Sequence, residues 1–176
     1  FWDFVRSLPR ESRRYLANVY FLQKGIVEGG RQDFDLFTER DAPSANTANP
    51  VEKVFTRVYE TNAWKGTESL SGPSSGLART ENLRNVLPGI VEKYGIKTFL
   101  DAPCGDFFWM KEVAPTLPTR YIGGDIVESL VTANRTQHEY PNVEFIKLNL
   151  ITDRLPTADI LFCRDCLFHL SYQDIA

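Results

Sequence analysis

The spacing of hydrophobic residues divides the chain into two parts, with the change at Gly95. Ahead of Gly95, apolar residues recur three or four positions apart, which is the spacing of a helix with one buried face. This spacing predicts a helix over residues 11–28, a second helix that begins at Pro50, and a third over residues 80–94. Residues 31–49 are polar and irregular, so we interpret them as a linker.

After Gly95, short apolar runs alternate with helical segments, which is the pattern of parallel βαβ units. The predicted strands cover residues 97–102, 120–125, 143–150 and 158–163, and the predicted helices cover residues 107–114 and 126–140. The sequence therefore predicts an α/β fold with a doubly wound, mainly parallel sheet and a helical N-terminal extension. We assign residues 1–50 to the extension and linker and residues 51–176 to the sheet domain.

Composition narrows the classes of function. The chain has 176 residues, 43% of them hydrophobic, which is enough for one domain with a core. Its net charge of −3 gives no electrostatic reason to expect nucleic acid as a partner. No apolar run approaches the roughly 20 residues that span a bilayer, so we expect no membrane partner. Three cysteines are an odd number, which favours a reducing, cytoplasmic compartment over a disulfide framework.

Polar clusters follow all four predicted strands: residues 101–106, Asp125, Asn149 and residues 163–169. The carboxyl ends of parallel strands meet at one edge of a sheet, where ligands of such folds bind. An acid at the position of Asp125 is placed to accept hydrogen bonds from both ribose hydroxyls of a nucleoside. Two plainer interpretations stay open, namely Asp125 as a helix N-cap and Asp101 as a turn residue at a strand end.

These clusters carry a family resemblance. FLDAPCGDFFWM resembles the first motif of class I S-adenosylmethionine-dependent methyltransferases, an acid followed by a Gly-rich turn, and YIGGDIVESL resembles their second motif. FIKLNLITDRLPTADILFCRDCLFHLS resembles the third and fourth motifs, and TNAWKGTESLSGPSSG is similar to a segment ahead of the first motif in a bacterial-type subfamily. The resemblance covers about residues 52–176. It implies a Rossmann-like fold with S-adenosyl-L-methionine as the cofactor.

The resemblance also implies roles for single residues. Asp101 and Gly105 would lie along the methionine and sulfonium part of the cofactor, and Asp125 would bind the ribose. Asn149 would lie beside the adenine, and Leu150 would pack on its ring. The other candidates for cofactor binding are Ala102, Pro103, Cys104, Ile126 and Arg164.

The chain departs from the family pattern at a few positions. Pro103 and Phe107 stand where the usual turn has glycines, which changes the backbone geometry expected there. Asn149 stands where the family often has Asp, and its carbonyl oxygen still offers an acceptor to the adenine amino group.

The loop after the fourth predicted strand would face the transferred methyl group. It contains Asp165 and His169, either of which would take a proton from a hydroxyl acceptor. A purely structural role stays open for His169. Arg164 would bind either a substrate anion or an internal carboxylate.

Cys163, Cys166 and His169 also form a C-x-x-C-x-x-H string, with Cys104 nearby in the resembled fold. This string leaves a zinc site as an alternative. A thioredoxin-like redox pair is a weaker alternative. A buried thiol on an apolar strand packs as a small hydrophobe, and we therefore expect no metal.

Residues 64–76 are rich in Gly and Ser, and their plain interpretation is low complexity. We predict instead that they form a lid. Trp64 would stack on substrate or cofactor, with ordinary packing as the alternative. Ser69, Ser71 or Ser74 would bind the cofactor carboxylate.

The sequence thus predicts an enzyme that transfers a methyl group from S-adenosyl-L-methionine to a small-molecule acceptor, with a homo-oligomer left open. The alternatives are a non-catalytic module that binds a nucleoside cofactor and an NAD-dependent oxidoreductase. The oxidoreductase needs a G-x-G-x-x-G turn for pyrophosphate, which DAPCGDFF lacks. The resembled fold has seven strands, so we expect the chain to be a fragment with its fourth strand as an exposed edge.

Overall fold

The computed structural model describes residues 19–23 and 50–171. These residues form one sheet with the strands β1 (Val19–Gln23), β2 (Thr98–Asp101), β3 (Arg120–Asp125), β4 (Val143–Lys147) and β5 (Ile160–Arg164). The described helices are α1 (Pro50–Glu60), α2 (Leu77–Tyr94) and α3 (Glu128–Gln137). Among these residues, no helix is long and apolar enough to cross a bilayer.

The predicted α/β fold with a mainly parallel sheet is confirmed. The strand order is β1-β5-β2-β3-β4, in which β2, β3, β4 and β5 are parallel and β1 is antiparallel to β5. The chain runs outward from β2 through β3 to β4 and then returns to the other side of β2 as β5. This reversal of strand order opens a crevice at the carboxyl ends of β2 and β5, where ligands of such sheets bind.

Alternation along the strands sends two apolar sets of side chains to opposite faces of the sheet. The larger core includes Phe99, Tyr121 and Phe162, together with the apolar faces of α2 and α3. The smaller cluster consists of Leu100, Ala102, Ile122 and Leu148, with partly buried side chains from the segment after β4 packed against it. The described helices contribute side chains to the larger core, so the site is built on a sheet with one heavily packed face.

Helix ends follow the sequence signals closely. α1 begins at Pro50, as predicted. α2 begins at Leu77, three residues earlier than predicted, and ends at Tyr94, with Gly95 as its C-cap. Gly95 adopts the left-handed conformation (φ 60°, ψ 35°), and its N–H donates to the carbonyls of Val91 and Glu92. This is the glycine C-cap that leaves the last carbonyls of a helix satisfied.

Two predicted helices are wrong where the structure describes them. Residues 19–23 lie inside the helix predicted over 11–28, yet VYFLQ forms β1 because its β-branched and aromatic residues suit a strand that pairs with β5. The helix predicted over 107–114 is replaced by the 3₁₀ turns Met110–Glu112 and Ala114–Thr116. Phe107 has a φ of 55°, in the left-handed region, which is incompatible with a residue inside a right-handed helix. The rest of residues 11–28 and the linker 31–49 lie outside the described residues.

The expectation of an exposed edge at the fourth parallel strand is also wrong. β1 pairs with β5 over its whole length, from Val19 opposite Arg164 to Gln23 opposite Ile160. The N–H and C=O groups on the outer side of β5 therefore have backbone partners.

Candidate functional site

A cavity of about 320 Å³ lies at the carboxyl ends of β2, β3 and β5. Its floor is formed by the turn after β2, the end of β3 and the loops after β4 and β5. Residues of α1 and of the segment 70–75 form the opposite wall. A cavity of this size is in the range of small-molecule sites.

Asp106 binds the segment 69–71 to the turn after β2. Its carboxylate accepts hydrogen bonds from the Ser69 hydroxyl (2.8 Å), the Leu70 N–H (2.7 Å) and the Ser71 hydroxyl (3.0 Å). The Asp106 N–H in turn donates to Ser71 Oγ at 2.9 Å. The Gly- and Ser-rich segment is therefore an ordered wall of the cavity. We call this set of hydrogen bonds the Asp106 clasp.

Gly105 makes the Asp106 clasp sterically possible. Its φ is 58°, and a Cβ at this position would lie 2.2 Å from Ser71 Oγ. The sequence suggested that the backbone here approaches a ligand, and the structure shows a close approach to Ser71. The Gly105 carbonyl also accepts a hydrogen bond from Asn134 Nδ2 of α3 at 2.8 Å, so the turn is held from two sides.

Asp125 joins the ends of β2 and β3. Its Oδ1 accepts from the Val127 N–H at 3.0 Å, and its Oδ2 accepts from the Gly105 N–H at 3.1 Å. The N-cap interpretation is wrong, because Val127 occupies the N-cap of α3 and no side chain caps it. Burial raises the pKa of Asp125 to about 6, although the hydrogen bonds from Val127 and Gly105 act in the opposite direction.

Asp101 lies beneath the cavity, where 3% of it is exposed. The Tyr121 hydroxyl of β3 donates to Asp101 Oδ2 at 2.5 Å. Burial raises the pKa of Asp101 to about 7, and the Tyr121 hydrogen bond and the nearby Arg164 only partly offset that effect. Asp101 is therefore more than a turn residue, because it is an acid with a costly charge at the floor of the cavity.

Arg164 and Asp165 form an ion pair at the end of β5. Arg164 Nη2 lies 3.0 Å from Asp165 Oδ2 and donates to the Ser74 carbonyl at 2.9 Å. The Arg164 guanidinium also lies over the Trp109 ring at 5.9 Å. The structure thus supports the interpretation in which Arg164 binds an internal carboxylate, namely that of Asp165. Asp165 has a φ of 51°, an uncommon conformation that clusters at functional sites.

His169 and Trp64 stack on each other at the cavity, with ring centroids 5.6 Å apart. The edge of Phe55 approaches His169 at 6.2 Å. In the part of the chain that the structure describes, no group of three or more His, Cys, Asp or Glu residues is arranged to hold a metal ion, so the zinc alternative has no support there. Cys163 and Cys166 are free thiols.

Most of the residues predicted for the site line the one cavity. They are Trp64, Ser71, Asp101, Pro103, Cys104, Gly105, Asp125, Ile126, Asn149, Leu150, Arg164, Asp165 and His169. Ala102 and Ser69 do not line it: Ala102 packs in the smaller apolar cluster, and Ser69 is buried against Asp106. The Asn149 side-chain oxygen already accepts a hydrogen bond from the Ile151 N–H at 2.9 Å.

Sequence reasoning missed several residues of the site, and three of them show why. Asp106 belongs to a segment that it identified, but its partners 35 to 37 positions away leave no local signal. Asn134 carried a signal, since it occupies an apolar-face position of α3 after Leu130 and Val131. Tyr59 lines the cavity from α1, where it looked like an ordinary member of the apolar face.

Comparison with known proteins gives little information about the family or function of the chain. No protein-family model and no curated protein matches the chain. Among solved structures, human N-acetylserotonin methyltransferase in complex with SAM matches with a TM-score of 0.33 and 16% identity. The match covers 57% of this chain and 33% of that one, so the chain spans about a third of that protein's length.

The crowding at Gly105 predicts opposite effects of two glycine substitutions. Gly105→Ala should lower the free energy of unfolding by at least about 1–2 kcal/mol, because Ala is strained at this φ and its Cβ displaces Ser71. Gly89→Ala is the matched control: nothing lies within 4 Å of its Cβ position inside α2, and we expect a gain of about 0.5–1 kcal/mol. Urea unfolding measures both, and equal stability of the two variants would contradict the tight turn.

The raised pKa of Asp101 predicts a specific dependence of stability on pH. Between pH 4 and 7 the folded state keeps Asp101 protonated while the unfolded state has lost the proton. The stability from this group is therefore complete below about pH 4 and is lost as the pH rises through about 7, at roughly 1.4 kcal/mol per pH unit or less. Asp101→Asn keeps an acceptor for Tyr121 but has no proton to lose. Urea unfolding at pH 5.5 and 7.5 should show the variant gaining on the wild type as the pH rises; parallel profiles would refute the shift.

Proposed function

We propose that the protein binds S-adenosylmethionine in this cavity and transfers its methyl group to a small molecule. One observation carries the proposal. Two buried acids, Asp101 and Asp125, lie at the ends of the neighbouring strands β2 and β3 and line the same cavity at the reversal of strand order. This is where parallel α/β sheets bind nucleoside cofactors.

The charges of the described lining favour a cationic ligand. Asp101, Asp125 and Asp165 contribute three carboxylates, and Arg164, which is paired with Asp165, contributes the one guanidinium. Asp101 and Asp125 form no ion pair with a cation of the described lining, and burial raises the pKa of both. A sulfonium group would offset part of the cost of ionising them.

The same geometry disfavours a dinucleotide. A pyrophosphate needs free backbone N–H groups at a turn. Here the Gly105 N–H donates to Asp125 and the Asp106 N–H donates to Ser71, so both are already used. The negative lining would also repel two phosphates.

Several residues are suited to parts of S-adenosylmethionine. The Asp125 carboxylate accepts two backbone hydrogen bonds and keeps lone pairs for ribose hydroxyls. Ile126 and Leu150 supply apolar surface for the adenine, next to Asn149. Asp101 lies where a positive charge would lower its pKa. The cofactor would supply the electrophilic methyl group, and the protein would supply orientation and a site for the released proton.

Asp165 is the residue best suited to hold that proton. It lines the cavity, its Oδ2 pairs with Arg164, and no donor in the described part of the chain hydrogen-bonds to its Oδ1. A module that only binds the cofactor has no need of this residue. The left-handed backbone of Asp165 supports a functional role for this loop, and turnover distinguishes an enzyme from the non-catalytic alternative.

Cofactor binding gives the first test of this function. Isothermal titration should detect S-adenosylhomocysteine and S-adenosylmethionine but not NAD. Asp125→Ala should weaken binding roughly 10- to 150-fold, because hydrogen bonds to a charged group contribute about 1.5–3 kcal/mol.

Asp125 also supports the turn, so its variant needs a control. The 2′,3′-dideoxy analogue of S-adenosylhomocysteine should bind the wild type weakly and should show no further loss with Asp125→Ala. If the variant weakens both ligands equally, Asp125 acts on the turn and not on the ribose. Heat from NAD alone would refute the proposed cofactor.

Turnover gives the second test. Asp165→Asn and His169→Ala should bind S-adenosylhomocysteine normally, and at least one should slow methylation of an accepted substrate by about 10²-fold, as expected on loss of a general base. The assay follows S-adenosylhomocysteine release with a panel of small hydroxyl and amino compounds. Normal rates in both variants would remove these residues from the mechanism.

A further inference from the structure

An aromatic rim surrounds one part of the cavity. We define it as Phe55, Trp64, Phe168 and His169, all of which line the cavity. Their rings contact one another: Trp64 and His169 stack at 5.6 Å, Phe168 and His169 lie 4.2 Å apart, and Phe55 meets Trp64 at 6.3 Å. The rim joins three separate parts of the chain: α1, the turn after it and the 3₁₀ turn after β5.

The rim is where apolar surface meets water. Five large apolar side chains are exposed among residues 50–171, and three of them line this cavity: Trp64 at 36%, Leu70 at 37% and Phe168 at 66%. Exposed apolar surface that gathers at a concave site marks a place of binding, whereas scattered exposed residues need no explanation. The rim therefore presents exposed aromatic surface on which a flat apolar group of a ligand can pack.

Asp165 provides a polar contact beside the rim. It precedes Phe168 by three residues and lines the same cavity. Arg164 holds it as an ion pair, and Arg164 is itself fixed by the Ser74 carbonyl and the Trp109 ring. Asp165 Oδ2 is buried and paired with Arg164, whereas no donor in the described part of the chain hydrogen-bonds to Oδ1, so Oδ1 is the oxygen that can accept a hydrogen bond from a ligand.

We propose that the aromatic rim and Asp165 form a subsite for a planar aromatic compound that carries a hydroxyl or amino group. The ring packs on Phe168 and its neighbours, and the O–H or N–H donates to the Asp165 carboxylate. An aliphatic anion fits poorly, because Arg164 is already paired and the remaining charges of the cavity are acidic. The proposal rests on the proposed function in one respect, namely that this compound would be the methyl acceptor.

Equilibrium binding tests the subsite without any turnover. The probes are 4-methylphenol, toluene, which lacks the hydroxyl, and 4-methylcyclohexanol, which lacks the aromatic ring. Saturation-transfer NMR titrations of the full chain, with and without S-adenosylhomocysteine, give their dissociation constants. We expect 4-methylphenol to bind at least about 3-fold more tightly than either comparison compound, as stacking and one hydrogen bond each contribute.

Substitutions assign the effect to residues. Phe168→Ala should weaken 4-methylphenol about 3- to 10-fold. Val54→Ala, which also truncates an exposed apolar residue but one outside the cavity lining, should leave binding unchanged. Asp165→Ala, which removes the acceptor, should weaken 4-methylphenol and leave toluene unaffected. Phe168 is exposed, so its variant should fold normally, and a matching unfolding curve verifies this.

The outcomes separate the two proposals. Equal binding of 4-methylcyclohexanol and 4-methylphenol, or no response to Phe168→Ala, would overturn the aromatic subsite. Equal binding of toluene and 4-methylphenol would overturn the role of Asp165. If S-adenosylhomocysteine binds and none of the probes does, the subsite is refuted and the proposed cofactor stands. If 4-methylphenol binds as expected and S-adenosylhomocysteine does not, the subsite is supported and the proposed function fails.

Discussion

The cavity exists because one carboxylate holds together two loops that are 35 residues apart in the chain. Asp106 accepts from Ser69, Leu70 and Ser71, and this brings the Gly- and Ser-rich segment against the turn after β2. Without these bonds the sheet edge would carry the acids but no opposite wall. α1 and Trp64 complete this wall through contacts of their own, since Phe55 and Tyr59 pack against the larger core and Trp64 stacks on His169.

Enclosing the cavity makes ionisation of the two acids at its floor energetically unfavourable. Closing the wall removes water from Asp101 and Asp125, and burial is the largest influence on the pKa of both. A tyrosine hydroxyl and two backbone amides donate to them, and within residues 19–23 and 50–171 no cation forms an ion pair with either acid. These hydrogen bonds reduce the cost of burying the two carboxyl groups, so the protein can fold with them inside. A positively charged ligand would stabilise their ionised forms further.

The parallel sheet was predictable because each strand is short, apolar and followed by a polar cluster, as in the segment that leads to Asp101. Most of the residues predicted for cofactor binding line one cavity for the same reason, since strand ends converge in any parallel sheet. The structural features that could not be predicted from the sequence depend on contacts with residues that are distant in the chain. Residues 19–23 have helical spacing and become a strand only because β5 offers a free side. Phe107 looked like a helix start, but its left-handed backbone lets its ring pack against Tyr121 and Phe145 in the core.

The pairing of β1 with β5 has a consequence for the order of folding. β2, β3 and β4 follow one another closely, so each finds its neighbour soon after it is made. β1 precedes the other described strands in the chain, yet its only pairing in the described sheet is with β5, about 140 residues later. Loop-closure entropy opposes this pairing more than the pairing of β2 with β3 or of β3 with β4, whose partners are close in sequence. In terms of topology, β1 raises the contact order of the sheet, a property associated with slower folding.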